Sequence, residues 1–554
     1  MIVIMSFRAA LSGVVGVCWS AIVGRWGGRV LRRCWVIALL GGSGVGAEGV
    51  KDLEAYLERG RAALEEGKVE ETKTLMEVAL AHWKGLGLEA KEEGRLVRLH
   101  AQILMVLGSA LVAELEEEED EVDEARAKKV REVFLEACAL FEKLRQKQPD
   151  DLELLLESAE SHQYAAALHA ALEDGDSTDA FMGKAMTMLQ EGLRVRPKDP
   201  LLRRRLANLI LADLDANNYN MGELAERKEV IQQAVQLLEG LVAENPEDLE
   251  LKSELGMALP WLAHAGYGSD DAELRRAAWQ RNMQVWDELA AKLPDNEDVL
   301  LQKAGSRSGM AGLERDEENF ERSIQLHLEA RAIQAELAKK NPENVDFQYG
   351  LASYWHVIGV VAMRAEDRAE ARRYFQLALT DFEKLVAEQP DETSAEEDIV
   401  LVQRLIGDLA SEEDRWPEAQ AAYREAMRRA EELMDLSSAS GLREVADLWM
   451  HAAERAKVHG DPVFLQEAYP QMLELLEKYR EVTKNQDGAF TLLIQAHLEA
   501  GLFAREQKKN ADEKQFLERA FKLLDEARSK GLELEDEELE KAVEAERRRG
   551  KTIQ

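Results

Sequence analysis

The sequence predicts an all-α protein: an α-solenoid of about ten antiparallel helix hairpins, closed by a C-terminal capping helix. Three observations lead there. Prolines recur at Pro149, Pro197, Pro246, Pro294, Pro342 and Pro390, at intervals of 48 or 49 residues. Small residues recur at two fixed places between them. Strand signals are almost absent, and 11 prolines in 554 residues leave long stretches free to be helical.

The proline contexts repeat as well: E-K-L-R-Q-K-Q-P, E-G-L-V-A-E-N-P, D-E-L-A-A-K-L-P, A-E-L-A-K-K-N-P and E-K-L-V-A-E-Q-P. A fixed period of this kind marks a repeat architecture, in which each unit buries its apolar face only against its neighbours. The first small position, 17 residues past the proline, holds Ala166, Ala263, Ala311, Gly359 and Gly407, with Leu214 as an exception. The second holds Cys138, Ala234, Ala330, Ala378 and Ala426, with Asn282 as an exception. Two helices approach closely only where side chains are small. The prolines suit turns after second helices, since proline interrupts a helix interior.

The stretch Gly407 to Ala426 carries a resemblance. Gly407, Ala419, Tyr423 and Ala426 reproduce the spacing of the tetratricopeptide repeat, whose period is about 34 residues. Here the period is 48, with seven extra residues in each half of the unit. Seven residues make about two helical turns, so each helix reads as lengthened with its packing face kept. The resemblance implies a right-handed superhelix whose first helices line a concave face that binds extended peptides or proteins.

In chain order, residues 1–47 differ from all that follows. They hold five arginines and no acid, with Arg29, Arg32 and Arg33 before the apolar run Cys34–Leu40 and a small-residue segment ending at Ala47. That layout predicts a secretory leader and an exported protein, periplasmic or secreted. The alternative is an uncleaved membrane anchor over Ile2–Val23, which Arg8 and the glycines disfavour. Residues 48–149 make two hairpins. Gly60, Thr72 and Ala79 keep the internal spacing, and an acidic insertion follows at 116–121 (E-E-E-E-D-E). This run lacks the alternating ligands of a calcium loop and reads as solvated. Six 48-residue hairpins fill 150–438, two degenerate ones fill 439–533, and 534–554 is a polar cap of the kind a solenoid needs at its end.

The net charge is −36, and loss of the leader's five arginines would make it −41. Such a surface repels nucleic acid and, once the leader is gone, anionic membrane, and it favours a basic partner. Acids crowd the positions after each proline, where they complement the positive end of the next helix. They need no metal to explain them. Cys138 is the single cysteine beyond the leader, which leaves no internal disulfide; at a small packing position it reads as a structural thiol. No catalytic residue, cofactor site or metal site emerges, because the chain has no H-E-x-x-H, no G-x-S-x-G and no phosphate-binding glycine loop.

Carrying the concave face over selects residues 13 to 18 past each proline. The candidate groove is His162, Tyr164, Trp261, His264, Trp355 and His356, with Trp449 and His451 counted from Ser438. Aromatic side chains dominate binding hot spots, and they equally pack between helices. The leading expectation is an exported, non-catalytic scaffold for a protein or peptide. Two alternatives stand beside it: a carbohydrate-active enzyme on an α/α toroid, which needs a matched carboxylate pair, and a self-assembling solenoid.

Overall fold

The computed structural model describes residues 47–88, 93–117, 124–171, 175–217, 220–389 and 393–553. The leader, most of the acidic run after residue 117, and Pro390 lie outside them. The described residues contain helices and no strand, in two compact units divided between Pro294 and Asp295.

In the first unit the helices are α1 (Ala47–Glu65), α2 (Val69–Gly85), α3 (Gly94–Glu117), α4 (Glu124–Lys147), α5 (Leu152–Ala171), α6 (Gly175–Val195), α7 (Pro200–Asn217), α8 (Met221–Glu226), α9 (Lys228–Glu244), α10 (Leu249–Gly268) and α11 (Ala272–Lys292). The second unit has α12 (Glu297–Asp316), α13 (Phe320–Lys340), α14 (Val345–Arg364), α15 (Arg368–Glu388), α16 (Thr393–Glu412), α17 (Trp416–Leu433), α18 (Ala439–Val458), α19 (Pro462–Val482), α20 (Gln486–Glu506), α21 (Asn510–Ser529) and α22 (Glu537–Ile553). Helices pack as successive hairpins in each unit. In the regular ones the first helix has 20 residues and the second 21. The lengthening expected from the 48-residue period is therefore present in both helices.

Two kinds of turn set this register. Inside a hairpin the chain reverses through a left-handed residue: Asp270, Glu318, Glu366 and Asp414 have φ of 52°, 62°, 59° and 57°. After α14 the amide of Glu366 donates to Met363 O and that of Asp367 to Ala362 O, both at 3.0 Å, a Schellman closure. Asp367 then accepts the amide of Glu370 as N-cap of α15. One residue thus ends a helix and starts the next. Between hairpins the cap lies two residues past the proline: Asp248 accepts from Glu250 and Leu251, Asn296 from Val299 and Asn344 from Phe347. The polar residues after each proline are helix caps.

The small positions are contacts. A Cβ added at Gly359 would lie 2.6 Å from the Phe375 ring, and one at Gly407 would lie 2.5 Å from Tyr423. Each glycine admits an aromatic ring from 16 residues later, and both rings are fully buried.

The two exceptions have separate structural causes. At Leu214 the bulky side chain is buried, and the short capped helix α8 is inserted before α9, where hairpins such as α12–α13 and α14–α15 have a tight turn. Asn282 belongs with a proline outside the 48-residue series, whose described members lie between helices. Pro260 and Pro470 both sit inside helices, α10 and α19. Pro260 has no N–H, so the carbonyl of Gly256 one turn earlier loses its helical donor. The Asn282 side chain donates to that carbonyl at 2.6 Å and is itself buried. Changing Asn282 to alanine is expected to cost about 1–3 kcal/mol, the penalty of a buried, unpaired carbonyl. Adding Pro260→Ala should recover most of it by restoring an N–H. Urea unfolding of both single variants and the double variant measures this; strictly additive losses would refute the pairing.

Carboxylates recur as ion-pair partners across neighbouring hairpins. Lys73 reaches Glu114 at 2.6 Å and Arg98 reaches Glu157 at 2.7 Å in the first unit. Arg424 pairs with Glu467 at 2.7 Å and Arg505 with Glu546 at 2.6 Å in the second. Pairs this exposed contribute only about 0.2–1 kcal/mol each, so they tune register more than they hold it. Helix α3 is long and apolar enough to cross a membrane, but 72% of its apolar window is buried inside the first unit. Helix α22 buries Leu539 and Val543 and turns charged residues outward, which suits a cap.

Candidate functional site

Within each hairpin the two helices differ in exposure. Second helices carry a solvent-facing stripe; in α15, for example, Arg373, Gln376, Thr380, Glu383 and Lys384 are all exposed. First helices are flanked by neighbouring hairpins and half-buried along their length. Helix α14 has no exposed residue between Asp346 and Arg364. The candidate residues all sit on these first helices, and the structure places them as follows.

His162 on α5 is fully buried, with Nδ1 2.7 Å from Ser158 O and Nε2 3.0 Å from a Glu142 oxygen. Burial pushes the Glu142 carboxyl upward, but the His162 and Lys184 hydrogen bonds win and hold it below its usual range. Tyr164 stacks on Phe134 at 5.6 Å. His264 meets the edge of Trp279 at 5.9 Å, and burial lowers its pKa. Trp261, half-buried on α10, makes no ring stack or hydrogen bond among the described residues, and Met257 one turn earlier is exposed.

In the second unit the Trp355 ring has two close neighbours. Tyr374 stacks on it at 5.5 Å, and the Arg331 guanidinium lies 3.8 Å from its ring centre. His356 Nδ1 lies 3.6 Å from Asp398, whose other oxygen accepts the Tyr349 hydroxyl at 2.7 Å; burial holds the His356 pKa down. Trp449 is buried, with its ring against Phe464 and its Nε1–H 3.4 Å from Glu431. His451 Nε2 lies 2.5 Å from Asp408 Oδ1. The eight residues, four in each unit, are therefore not all at the surface. His162 and Trp449 are core, Tyr164 and Trp355 give ring surface to neighbours, and on the Met257–Trp261 turn of α10 an exposed methionine stands beside a half-buried tryptophan with no ring partner among the described residues.

Sequence reasoning passed over Asp408. On α16 it is nearly buried and gathers four side chains from three helices. Tyr423 of α17 donates to it at 2.7 Å, His451 of α18 approaches as above, and Arg404 and Arg455 each stand at 3.7 Å. Burial alone would raise the Asp408 pKa; the His451 and Tyr423 hydrogen bonds and the nearby positive charge lower it instead. Its position 18 residues past Pro390 falls inside the window searched, but an aspartate in so acidic a chain carries no signal by itself. A surface cleft between α5, α6 and α7, lined by Glu160, Gln163 and Arg205 among others, has room for about one water (≈ 10 Å³). Among the described residues no group of His, Cys, Asp and Glu is arranged to hold a metal ion. Cys138 is buried and its thiol is pushed up to about 11 by desolvation.

Hairpins closed by a small residue facing an aromatic ring, stacked in a constant register, are what the sequence resemblance implied. The fold is tetratricopeptide-repeat-like. No protein-family model matches the sequence, and no curated protein matches it significantly. Solved structures with similar folds include aspartyl phosphate phosphatase F from Bacillus subtilis, 13% identical over 88% of this chain and 96% of that one, with a TM-score of 0.33. Yeast Tom70 is 16% identical over 86% of this chain and 97% of its own, with a TM-score of 0.24. A STAND signal-transduction ATPase with a tetratricopeptide repeat sensor, from Pyrococcus horikoshii, is 12% identical over 88% of this chain and 74% of its own, with a TM-score of 0.36. Such repeat hairpins position first-helix side chains at regular intervals, so any ligand-facing row is set by the same 48-residue register as the core.

Proposed function

We propose that the protein is an exported, non-catalytic scaffold that binds a protein or an extended peptide along its first-helix faces. The observation that carries this reading is the Met257–Trp261 turn of α10. Met257 is exposed and Trp261, one turn on, is half-buried without a ring partner among the described residues, and a tryptophan beside an exposed methionine suits a contact hot spot. The leader-like residues 1–47 support export, and the acidic surface favours a partner with basic groups around its apolar anchor.

The test is cross-linked affinity capture with residues 48–554 as bait, followed by equilibrium binding of the captured protein. Trp261→Ala is expected to weaken that partner by tenfold or more, in the range of an aromatic hot spot, with helicity and melting unchanged. A partner indifferent to Trp261→Ala would move the interface elsewhere. Failure to capture any saturable protein would count against the scaffold reading itself.

A further inference from the structure

One hairpin turn of the second unit departs from the polar pattern of the others. Two residues before the left-handed turn residue stand Asp316, Arg364, Glu412 and Glu506, all charged and exposed. Between α18 and α19 the turn residue is Gly460, with φ of 62°, and Val458 takes that place. Three residues after Gly460, Val463 stands where the other turns have Glu321, Ala369, Pro417 and Ala511. Val458 is 76% exposed and Val463 71%, more than the other large apolar side chains described in the unit. A lone exposed apolar residue needs no explanation. Two on one turn, at a place the repeat otherwise gives to charge, do.

Hairpin packing fixes the turns on either side. The Trp416 ring stacks on His459 at 4.8 Å and its Nε1–H donates to Asp461 at 2.8 Å, which ties the α16–α17 turn to this one. Tyr469 meets Phe503 at 5.5 Å and Lys457 pairs with Glu499, which ties it to the α20–α21 hairpin. The valines are therefore central in a row of three turns, and the outer two differ in charge. On the α16–α17 side Glu412 and Asp414 are exposed. Glu412 has only Arg368, at 3.7 Å, and Asp414 has no ion partner among the described residues. Arg415 is taken by Glu413 at 3.1 Å and Glu418 at 2.9 Å, and Pro417 adds exposed apolar surface. On the α20–α21 side Lys508 and Lys509 make the turn, both exposed and without a carboxylate partner among the described residues. Glu506 ends the helix before them, and Asp512 lies in the first turn of the helix after them.

We propose that this row of turns is a self-association surface whose occupant is a second copy of the chain, related by a two-fold axis through the Val458–Val463 turn. A two-fold contact uses the same patch on both copies. The acidic turn of each copy then faces the lysine turn of the other, and the valines of both meet at the centre. An apolar centre inside a charged rim is the anatomy of a specific interface. The order acid, apolar, base complements itself only in this antiparallel sense, because the parallel one opposes like charges. Three turns give a contact near the small end of the stable range, so the pair is reversible. The surface lies on hairpin turns and not along the first-helix faces, so it stands apart from the scaffold reading.

Sedimentation equilibrium of the full chain over about 5–500 µM tests this. The parent is expected to behave as a reversible monomer and dimer, with the dimer weakened by added salt. Val458→Glu installs the residue that Glu412 and Glu506 supply at the equivalent place. It should raise the dimer dissociation constant by about tenfold or more with melting unchanged. Two further variants test the geometry. Glu412→Lys with Asp414→Lys makes the acidic turn basic, and Lys508→Glu with Lys509→Asp makes the basic turn acidic. Arg364, Lys508, Glu366 and Asp367 already place those charges at the equivalent turn positions, so the hairpins should fold as before. Each variant alone should be monomeric where the parent is dimeric. An equimolar mixture should regain the dimer, because the two altered copies complement each other at both rims, and association through any other part of the chain would not follow that rule. A parent that stays monomeric throughout, a Val458→Glu chain that dimerises like the parent, or a mixture that stays monomeric overturns the proposal. A Val458-dependent complex with a different protein, without a dimer, also overturns it and assigns the turn to that protein.

Discussion

Replacing Phe375 with alanine is expected to destabilise the second unit by about 3–5 kcal/mol, the range for truncating a fully buried aromatic. Phe375 is wholly buried, and its ring fills the space that a side chain on Gly359 would need. The partner change, Gly359→Leu, pushes carbon atoms into the same space and should cost about 1–3 kcal/mol or more through overpacking. Combining the two moves the missing volume to the other side of the contact, so the double variant should be more stable than the sum of the single losses allows. Urea denaturation followed by circular dichroism gives all three values. A Phe375→Ala loss below about 1 kcal/mol would mean that the hairpin is not closed at this contact.

The second large effect is acid sensitivity. His327 and His497 are buried. His327 Nδ1 and both ring nitrogens of His497 have no hydrogen-bond partner. Desolvation, helped by the Arg315 charge, lowers His327 to about 4. Desolvation also takes His497 to about 4; the Glu477 charge opposes the shift and Arg519 adds to it. The unfolded chain keeps its histidines near 6.5, so between pH 6.5 and 4 it binds protons that the folded state refuses. Stability is then fully present above pH 6.5 and falls as the pH drops towards 4. Each histidine accounts for roughly 3 kcal/mol at the bottom of that window. Carboxylates held low by arginine, such as Glu425 at about 2 beside Arg428 and Arg429, keep their stabilising effect above the ordinary Glu value and lose it only as the pH falls from there towards 2. Unfolding of the parent, His327→Leu and His497→Leu at pH 7 and pH 4.5 tests this. Each leucine variant should lose less stability on acidification than the parent; identical losses would place the proton uptake elsewhere.

Much of the architecture was legible because it is written as spacing. The 48-residue interval gave the hairpin length, Gly359 and Gly407 marked close approaches, and the acids after each proline announced helix starts. The exceptions were legible only as exceptions. Asn282 looked like a lapse in a small-residue pattern, and Pro260 stood outside the series of periodic prolines. Their connection is a hydrogen bond between two helices, and it has no counterpart in linear distance that a period can reveal.

The candidate face was less legible. Counting from the prolines found the right helices, because the register is regular. It could not say which ring faces were free. Trp355 and Trp261 are both half-buried tryptophans in the searched window, yet one has Arg331 and Tyr374 against its ring while the other has no ring partner among the described residues. That difference depends on what neighbouring hairpins supply at the same height.

The sequence alone determined the all-helical class, the hairpin period, the turn positions and the acidic surface, since each follows from local propensity and from side-chain size at fixed intervals. Tertiary structure decided the division between Pro294 and Asp295, the carbonyl exchange at Asn282, and the gathering of Arg404, Tyr423, His451 and Arg455 around Asp408. These depend on side chains from different helices meeting in space, where burial strips away water and makes the identity of each neighbour decide the energy.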